Sequence, residues 1–324
     1  MMKKLISYLL VVMLIPAMVL TGCKDDGDDP QPVVKGDFTD LKTYIVNQGL
    51  DLPVMITNWI ITAADVHNNG ISNYFIIDLR SADDFSTLGH IDGAVNSTLA
   101  NILETAKDAT KPILVVCYTG QSAGHGVTAL RLSEYTDAKV LMFGMSSWNA
   151  ATAGPWNNST GDVADGNANW MAGDQTTTTS TYGYPDWETT STEGADILAE
   201  RVEMMISEGF QGIVNTGVLD NPADYFINNF WDQTDVEHYG HIKDAYRIKP
   251  MSFADGNISS LNPDGTVVTY CWTGQTSSMV TAYLSVLGYD AKSLKFGTNG
   301  MIHSTLESHK WSEAQINDFE LFFN

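Results

Sequence analysis

The sequence predicts an α/β protein made of two similar units, each a mostly parallel sheet flanked by helices. Three observations carry that expectation. The apolar run Lys111-Pro112-Ile113-Leu114-Val115-Val116 ends in Cys117-Tyr118-Thr119-Gly120-Gln121-Ser122, and Gly265-Thr266-Val267-Val268-Thr269-Tyr270 ends in Cys271-Trp272-Thr273-Gly274-Gln275-Thr276. Each loop is followed by a helix-like segment and a shared phrase, Asp137-Ala138-Lys139-Val140-Leu141-Met142-Phe143-Gly144 and Asp290-Ala291-Lys292-Ser293-Leu294-Lys295-Phe296-Gly297. Strand, cysteine loop, helix and strand used twice are the mark of an internal duplication. Short apolar runs alternating with helical patterns imply parallel strands joined by helical crossovers.

The 324 residues suffice for two units that each bury a core. Hydrophobic residues make up 44% of the chain, and Asp+Glu number 39 against 17 Lys+Arg. A formal charge of -22 argues against nucleic acid and anionic lipid surfaces as electrostatic partners, since both would be repelled. The three cysteines, Cys23, Cys117 and Cys271, are widely spaced. They form neither a disulfide framework nor a zinc pair, so each needs its own explanation.

Residues 1–22 read as an export signal: Lys3 and Lys4, then an apolar run from Leu5 to Leu20, then Leu20-Thr21-Gly22-Cys23. The ending resembles the lipobox of bacterial lipoproteins, which implies acylation of Cys23 and a membrane partner reached through that lipid. A retained anchor is the alternative, against which stand the shortness of the run and Pro16. Loss of the leader removes two lysines and no acid, taking the charge from -22 to -24. Residues 23–36, with Lys24-Asp25-Asp26-Gly27-Asp28-Asp29-Pro30, read as a flexible acidic tether. Such tethers resemble those of surface lipoproteins in the Bacteroides group. That likeness implies a place in the cell envelope, at the outer membrane or cell surface of a Gram-negative bacterium.

The first unit is expected over residues 37–155. Phe38, Leu41, Tyr44 and Ile45 recur at helical spacing, and Thr62 is placed to cap a turn that includes Val66. Tyr74 to Arg80 reads as a strand ending in a polar pair, Ser81 to Phe85 as a helix start, and Leu99 to Ala106 as a helix. Residues 156–194, rich in Gly, Asn, Thr and Ser yet carrying Trp156, Trp170 and Trp187, read as a connection packed along both units. The second unit, residues 195–324, opens with a helix bearing Ile197, Leu198, Val202, Met205 and Ile206 and stopping at Gly209. Phe210 to Asn215 is taken as the counterpart of the strand at Tyr74 to Asp78. On that alignment Asn215 and Gly217 replace Asp78 and Arg80, and an insertion holding Phe230 and Trp231 separates the copies. Gly240-His241-Ile242 answers Gly89-His90-Ile91.

With Ile77-Asp78-Leu79-Arg80, Gly89-His90-Ile91-Asp92-Gly93-Ala94 and the two cysteine loops in hand, the chain resembles a tandem rhodanese of the sulfurtransferase superfamily. The resemblance implies two rhodanese-like domains and a nucleophilic cysteine at the carboxyl end of a central strand, here Cys117, Cys271 or both. It also implies ping-pong transfer of sulfane sulfur through a cysteine persulfide. The donor would be thiosulfate, polysulfide or a persulfidated protein, and the acceptor a thiol or cyanide. Tyr118, Thr119, Gly120, Gln121 and Ser122, with Trp272, Thr273, Gly274, Gln275 and Thr276, would form the substrate-binding loops. Backbone amides there would converge on sulfur and favour the thiolate, and Gly120 and Gly274 supply backbone angles closed to other residues.

The chain departs from the family pattern in having no Lys or Arg in either loop, where Ser122-Ala123 and Thr276-Ser277 stand. That weakens thiosulfate relative to polysulfide or persulfide donors and excludes the Cys-x5-Arg phosphatases, which grip phosphate with a guanidinium. A non-catalytic rhodanese-fold binding module on the envelope is the rival reading. Asp78 and Arg80 fit an ion pair bracing the pocket better than catalysis. His90 and His241 fit structural roles, and His125 stands about two turns beyond Cys117. His238 and His241 lack a further ligand cluster for metal, and neither a dinucleotide fingerprint nor a P-loop is present, so no cofactor is expected.

Overall fold

The computed structural model describes residues 33–173 and 180–323. The expected export signal, Cys23 and nearly all of the acidic tether lie outside the described residues, as does most of the run from Thr176 to Thr181. The end of the tether is ordered into a strand. Val34 and Lys35 pair antiparallel with Thr189 and Glu188, and Gly36 N–H donates to the Trp187 carbonyl at 2.9 Å.

The first half builds a five-stranded parallel sheet from β1 (Ile60–Ile61), β2 (Phe75–Asp78), β3 (Val95–Asn96), β4 (Ile113–Val116) and β5 (Lys139–Leu141). Their spatial order is β1-β5-β4-β2-β3. All four residues of β4 are apolar and buried, as a strand covered by helices on both faces requires. The helices are α1 (Phe38–Asn47), α2 (Ala63–Asn69), α3 (Ala82–Thr87), α4 (Ile102–Ala106) and α5 (Gln121–Leu132). Side-chain caps start three of them: Asp37 accepts from Thr39 N–H, Thr62 from Asp65 N–H, and Ser81 from Asp84 N–H. The helical spacing of Phe38, Leu41 and Ile45 puts all three in the core, and Val66 is buried behind its Thr62 cap.

The second half repeats the plan with β6 (Gly212–Ile213), β7 (Phe226–Asn229), β8 (Val267–Tyr270) and β9 (Ala291–Leu294), in the order β6-β9-β8-β7. A parallel bridge between Asn228 and Tyr246 stands where β3 lies in the first sheet. Helices α6 (Gly194–Glu208), α7 (Asn215–Asp220), α8 (Gln233–Tyr239) and α9 (Gln275–Val286) cover it.

This topology corrects the alignment read from the sequence. Phe210 to Asn215 contributes β6, which pairs with β9 and is the counterpart of β1. The counterpart of β2 is β7, because each lies beside the strand that carries its cysteine. Asp78 therefore corresponds to Asn229 and Arg80 to Trp231. No insertion separates the copies at this point: Gly89 follows Asp78, and Gly240 follows Asn229, by eleven positions. The pattern misled because β7 ends in Asn228-Asn229, polar residues that weaken a strand signal. Asn228 is nevertheless fully buried, accepting from Ile248 N–H at 2.8 Å.

The halves are not separate globules. Residues 33–324 form one compact unit, and a single buried cluster runs through Leu41, Val115, Leu130, Val202, Met279 and Leu284 from both. Helices α5 and α9 pack along each other more extensively than any other pair of elements. The connection also binds both halves. Trp156 is buried between them, Trp170–Met171 pairs antiparallel with His241–Ile242, and Ala164 N–H donates to Met301 O at 2.9 Å. The chain end crosses back to the first half, where Phe319 N–H donates to Trp148 O and Phe322 exchanges backbone hydrogen bonds with His90.

His125 lies at the centre of the contact between α5 and α9. Ser278 Oγ donates to the Gln121 carbonyl, so His125 Nδ1–H donates to Ser278 Oγ at 3.1 Å while Nε2 accepts from Gln211 N–H at 3.5 Å. Complete burial lowers its pKa from 6.5 to about 3, and the ring is a neutral core group. Unfolded chains take up a proton here below pH 6.5 while the folded chain does not. The stability due to neutral His125 is thus complete above 6.5 and falls as pH drops towards about 3, by about 1.4 kcal/mol per pH unit. Urea denaturation at pH 7 and pH 4.5 should show a steeper acid loss for the wild type than for His125→Gln. Equal losses would mean that His125 does not report the interface.

Candidate active site

Each cysteine sits where its central strand ends and a helix begins. Val116 and Tyr270 close β4 and β8, Cys117 and Cys271 follow, and three residues later Gly120 (φ +79°) and Gly274 (φ +77°) stand at the N-caps of α5 and α9. Those left-handed angles turn the chain around the sulfur and favour glycine. Cys117 Sγ accepts from Gly120 N–H at 3.1 Å and Ala123 N–H at 3.4 Å. Cys271 Sγ accepts from Ser277 N–H at 3.3 Å and also meets Ser277 Oγ at 3.6 Å. Both thiols are free and buried, with Cys117 at 4% and Cys271 at 2% exposure.

A second loop holds each cysteine from behind. Cys117 O accepts from Met145 N–H at 2.8 Å, and Tyr118 O accepts from Ser146 N–H and Oγ–H. In the second half Cys271 O accepts from Thr298 N–H, and Trp272 O from Asn299 N–H and Nδ2–H. Gly144 and Gly297 are required here, because a Cβ on either would collide with the cysteine carbonyl.

The surroundings differ sharply. Beside Cys117, Asp78 and Arg80 form a buried ion pair at 2.6 Å with side chains 1% and 0% exposed. Arg80 also donates to Gly89 O at 2.8 Å, and its guanidinium lies 5.3 Å from the centre of the Tyr118 ring. Burial, reinforced by the Asp84 carboxylate, raises the Tyr118 hydroxyl above its ordinary value and keeps it protonated. Beside Cys271 the same positions hold Asn229 and Trp231. Trp231 packs against Trp272 with ring centres 4.3 Å apart, and Tyr239 and His309 contact the other sides of Trp272. Among the described residues the Asn229 amide and Trp231 Nε1 have no hydrogen-bond partner.

The expected loop residues divide by orientation. Tyr118, Thr119 and Ser122 are partly exposed at the first loop, as are Trp272 and Thr276 at the second, while Thr273 is buried. Gln121 and Gln275 are buried and reach across to the opposite half, so their amides are not free for substrate. No local pattern foretells this, nor the left-handed angles at Phe143 and Phe296 (both φ +61°). His90 stacks on Phe85 at 3.8 Å, His241 Nδ1 donates to Ile242 O at 2.9 Å, and exposed His238 lies 3.5 Å from Glu307. Among the described residues no three His, Cys, Asp or Glu side chains gather as a metal site.

Removing one partner of a buried ion pair strands the other charge, at a cost of about 3–5 kcal/mol. Arg80→Met should lose that much stability in urea denaturation, and Asp78→Asn combined with Arg80→Met should recover part of it. A double variant as unstable as Arg80→Met would show that the pair braces nothing by its charge.

A rhodanese-like domain profile matches residues 62–151, the stretch from the cap of α2 through the Cys117 loop to the loop behind it. The chain is 37% identical over 81 residues to the thiosulfate sulfurtransferase GlpE of Shewanella oneidensis, spanning 24% of this chain and 78% of that protein. Among solved structures it is similar to a rhodanese-related protein from Thermoplasma volcanium, at 25% identity and a TM-score of 0.26, covering 28% of this chain and 89% of that one. It is also similar to a thiosulfate sulfurtransferase from Pseudomonas aeruginosa, at 13% identity and a TM-score of 0.30, covering 88% of this chain and 48% of that one. The aligned stretch of the Shewanella oneidensis relative covers most of that protein, and the profile holds Asp78, Arg80, His90 and Cys117 together: the chain belongs to the rhodanese family of sulfurtransferases.

Proposed function

We propose that this protein carries sulfane sulfur on Cys117 as a persulfide, passing it from a polysulfide- or persulfide-type donor to a thiol. The observation that carries the reading is the pair of N–H groups from Gly120 and Ala123 directed at Cys117 Sγ. They lie at the start of α5, where the helix dipole adds to them, and they suit a negatively charged sulfur.

The chemistry balances in two steps. The Cys117 thiolate attacks the outer sulfur of the donor, the sulfur–sulfur bond of the donor breaks, and its leaving sulfur departs with the electron pair. An acceptor thiolate then attacks the outer sulfur of the persulfide, and Cys117 leaves as thiolate. Thiosulfate and cyanide would follow the same course, with sulfite leaving and thiocyanate forming. The lack of a basic residue in the loop and the charge of -22 favour donors that need less cationic help than the thiosulfate dianion. Arg80 does not replace the missing cation, because Asp78 neutralises it.

Several features favour Cys117 over Cys271 as the principal carrier. Two backbone amides address Cys117, the ion pair braces its loop, and the profile match covers it. Cys271 keeps the loop, but the residue after it, Trp272, packs against Trp231 and Tyr239 where the first half has its ion pair. The lipobox-like ending supports acylation of Cys23, with the acidic tether holding the compact unit off the envelope.

Mass spectrometry of the protein from Lys24 onward, incubated with polysulfide or thiosulfate, tests this reading. A gain of one sulfur atom is expected that Cys117→Ser abolishes and Cys271→Ser largely preserves. No gain with either donor would sink the enzyme reading and leave a binding module, which the burial of both thiols would then explain.

A further inference from the structure

The two cysteine loops are held crosswise. Gln275 Oε1, at the start of α9 in the second half, accepts from Phe143 N–H at 2.8 Å in the first half. Gln121 Oε1, at the start of α5 in the first half, accepts from Phe296 N–H at 2.8 Å in the second. Each glutamine steadies itself on its own loop, through Nε2–H to Thr119 Oγ1 at 3.1 Å or to Thr273 Oγ1 at 3.0 Å. Phe143 and Phe296 open the loops whose next residues grip the cysteine carbonyls. Phe143 leads to Gly144 and to Met145, whose N–H holds Cys117 O. Phe296 leads to Gly297 and to Thr298, whose N–H holds Cys271 O.

Resting on the sulfur-carrier reading above, we infer that Gln275 is a positioning residue for Cys117 and Gln121 for Cys271, each half fixing the reactive loop of the other. Three observations support the assignment. Both glutamines are buried, so each amide oxygen must find a donor, and among the described residues each finds it across the interface. A Cβ on Gly120 would collide with Gln275 Oε1, and one on Gly274 with Gln121 Oε1, so both loop glycines also make room for the crossing side chain. The linker tryptophan Trp156 stands edge-on to both Phe143 (5.2 Å) and Phe296 (5.0 Å), and its Nε1–H donates to Thr119 O at 3.2 Å. One side chain thereby backs both receiving loops.

Neither glutamine touches sulfur, so the expected signature is a change in rate without a change in donor affinity. The test uses the protein from Lys24 onward, since residues 33–324 form a compact unit of their own. Gln275→Met removes the acceptor at similar volume, and Gln275→Glu retains an acceptor oxygen for Phe143 N–H. Hydrogen exchange in peptides covering residues 117–123 and 142–146 should rise in Gln275→Met, and Gln121→Met should instead raise exchange over residues 271–277 and 295–299. In a Cys271→Ser background, Gln275→Met should slow persulfide formation at Cys117 about tenfold with an unchanged half-saturating polysulfide concentration, and Gln275→Glu should restore most of the rate.

Exchange that rises only in the half carrying the substitution would overturn the crosswise assignment, whatever the sulfur chemistry. Normal exchange in the parent with no persulfide at all would refute the sulfur-carrier reading and leave the crosswise hold to be judged by exchange alone. If Gln275→Met unfolds, the assignment stands or falls on Gln275→Glu, which must keep both protection and rate.

Discussion

The packing of α5 against α9 is the constraint on which the rest of the molecule depends. Both helices begin at a cysteine loop and run inward, so the contact between halves and the two sites share the same residues. At the helix starts Gln121 accepts from Phe296 N–H and Gln275 from Phe143 N–H, and a turn further on His125, Ser278 and the Gln121 carbonyl form a buried polar chain. Polar groups at such depth are tolerated only when paired, and here the pairs cross the interface. Sliding or separating the halves would strip the backbone amides of Phe143 and Phe296, the side-chain oxygens of Gln121 and Gln275 and the neutral His125 ring of these partners. The halves therefore have one relative position that satisfies them, and the connecting segment reinforces it by placing Trp156 among Phe143, Phe296 and Trp311.

Within that shared frame the halves have diverged in how they support the sulfur. Around Cys117 a buried charge pair fixes the end of β2 to the turn at Gly89, and Asn96 adds hydrogen bonds to the carbonyls of Asp78 and Arg80. The pair offsets its desolvation through the two-pronged contact of Arg80 Nε and Nη2 with the Asp78 carboxylate and the bond to Gly89 O, while Arg80 Nη1 is buried with no partner among the described residues. Around Cys271 the charges are gone. Asn229 and Trp231 supply shape and apolar area, and the wall of the loop becomes an aromatic stack. Removing both charges together avoids the stranded charge that loss of one alone would create.

Much of this was legible in the sequence, and the limits have physical causes. The duplicated cysteine loops, the parallel α/β layout, the amphipathic helices and the Asp78–Arg80 pair all follow from local patterns of apolar residues, caps and charge. What escaped was long-range. The β7 strand escapes a local reading because Asn228 and Asn229 look like loop residues, and a buried partner such as Ile248 is what makes Asn228 acceptable in a strand. The family resemblance places Gln121 and Gln275 in the substrate-binding loops, whereas the structure turns both to the opposite half. Their partners lie 175 and 132 residues away, a distance no local pattern bridges. The return of residues 317–322 to the first half was likewise invisible, since it depends on a surface beside Trp148 that exists only after folding.

The missing loop cation and the crosswise hold bear on each other. A cysteine loop with an arginine can follow a negative charge with a long, mobile side chain. A loop without one has only backbone N–H groups for that purpose, and a backbone dipole is effective only over a short distance and along a narrow range of angles. The stabilisation that such a loop can give to anionic sulfur therefore depends on how firmly its backbone is placed. In this chain the backbone around Cys117 is tied at the cysteine and Tyr118 carbonyls, at the Thr119 carbonyl by Trp156, and, through Phe143, by a glutamine from the other half. Fixing the loop at several points costs conformational freedom that the fold has already surrendered elsewhere, and it leaves the amides of Gly120 and Ala123 pointed at one atom. The second half supplies such fixing from outside the loop itself, which gives a physical role to its glutamine and its loop even though its own cysteine lacks a flanking ion pair.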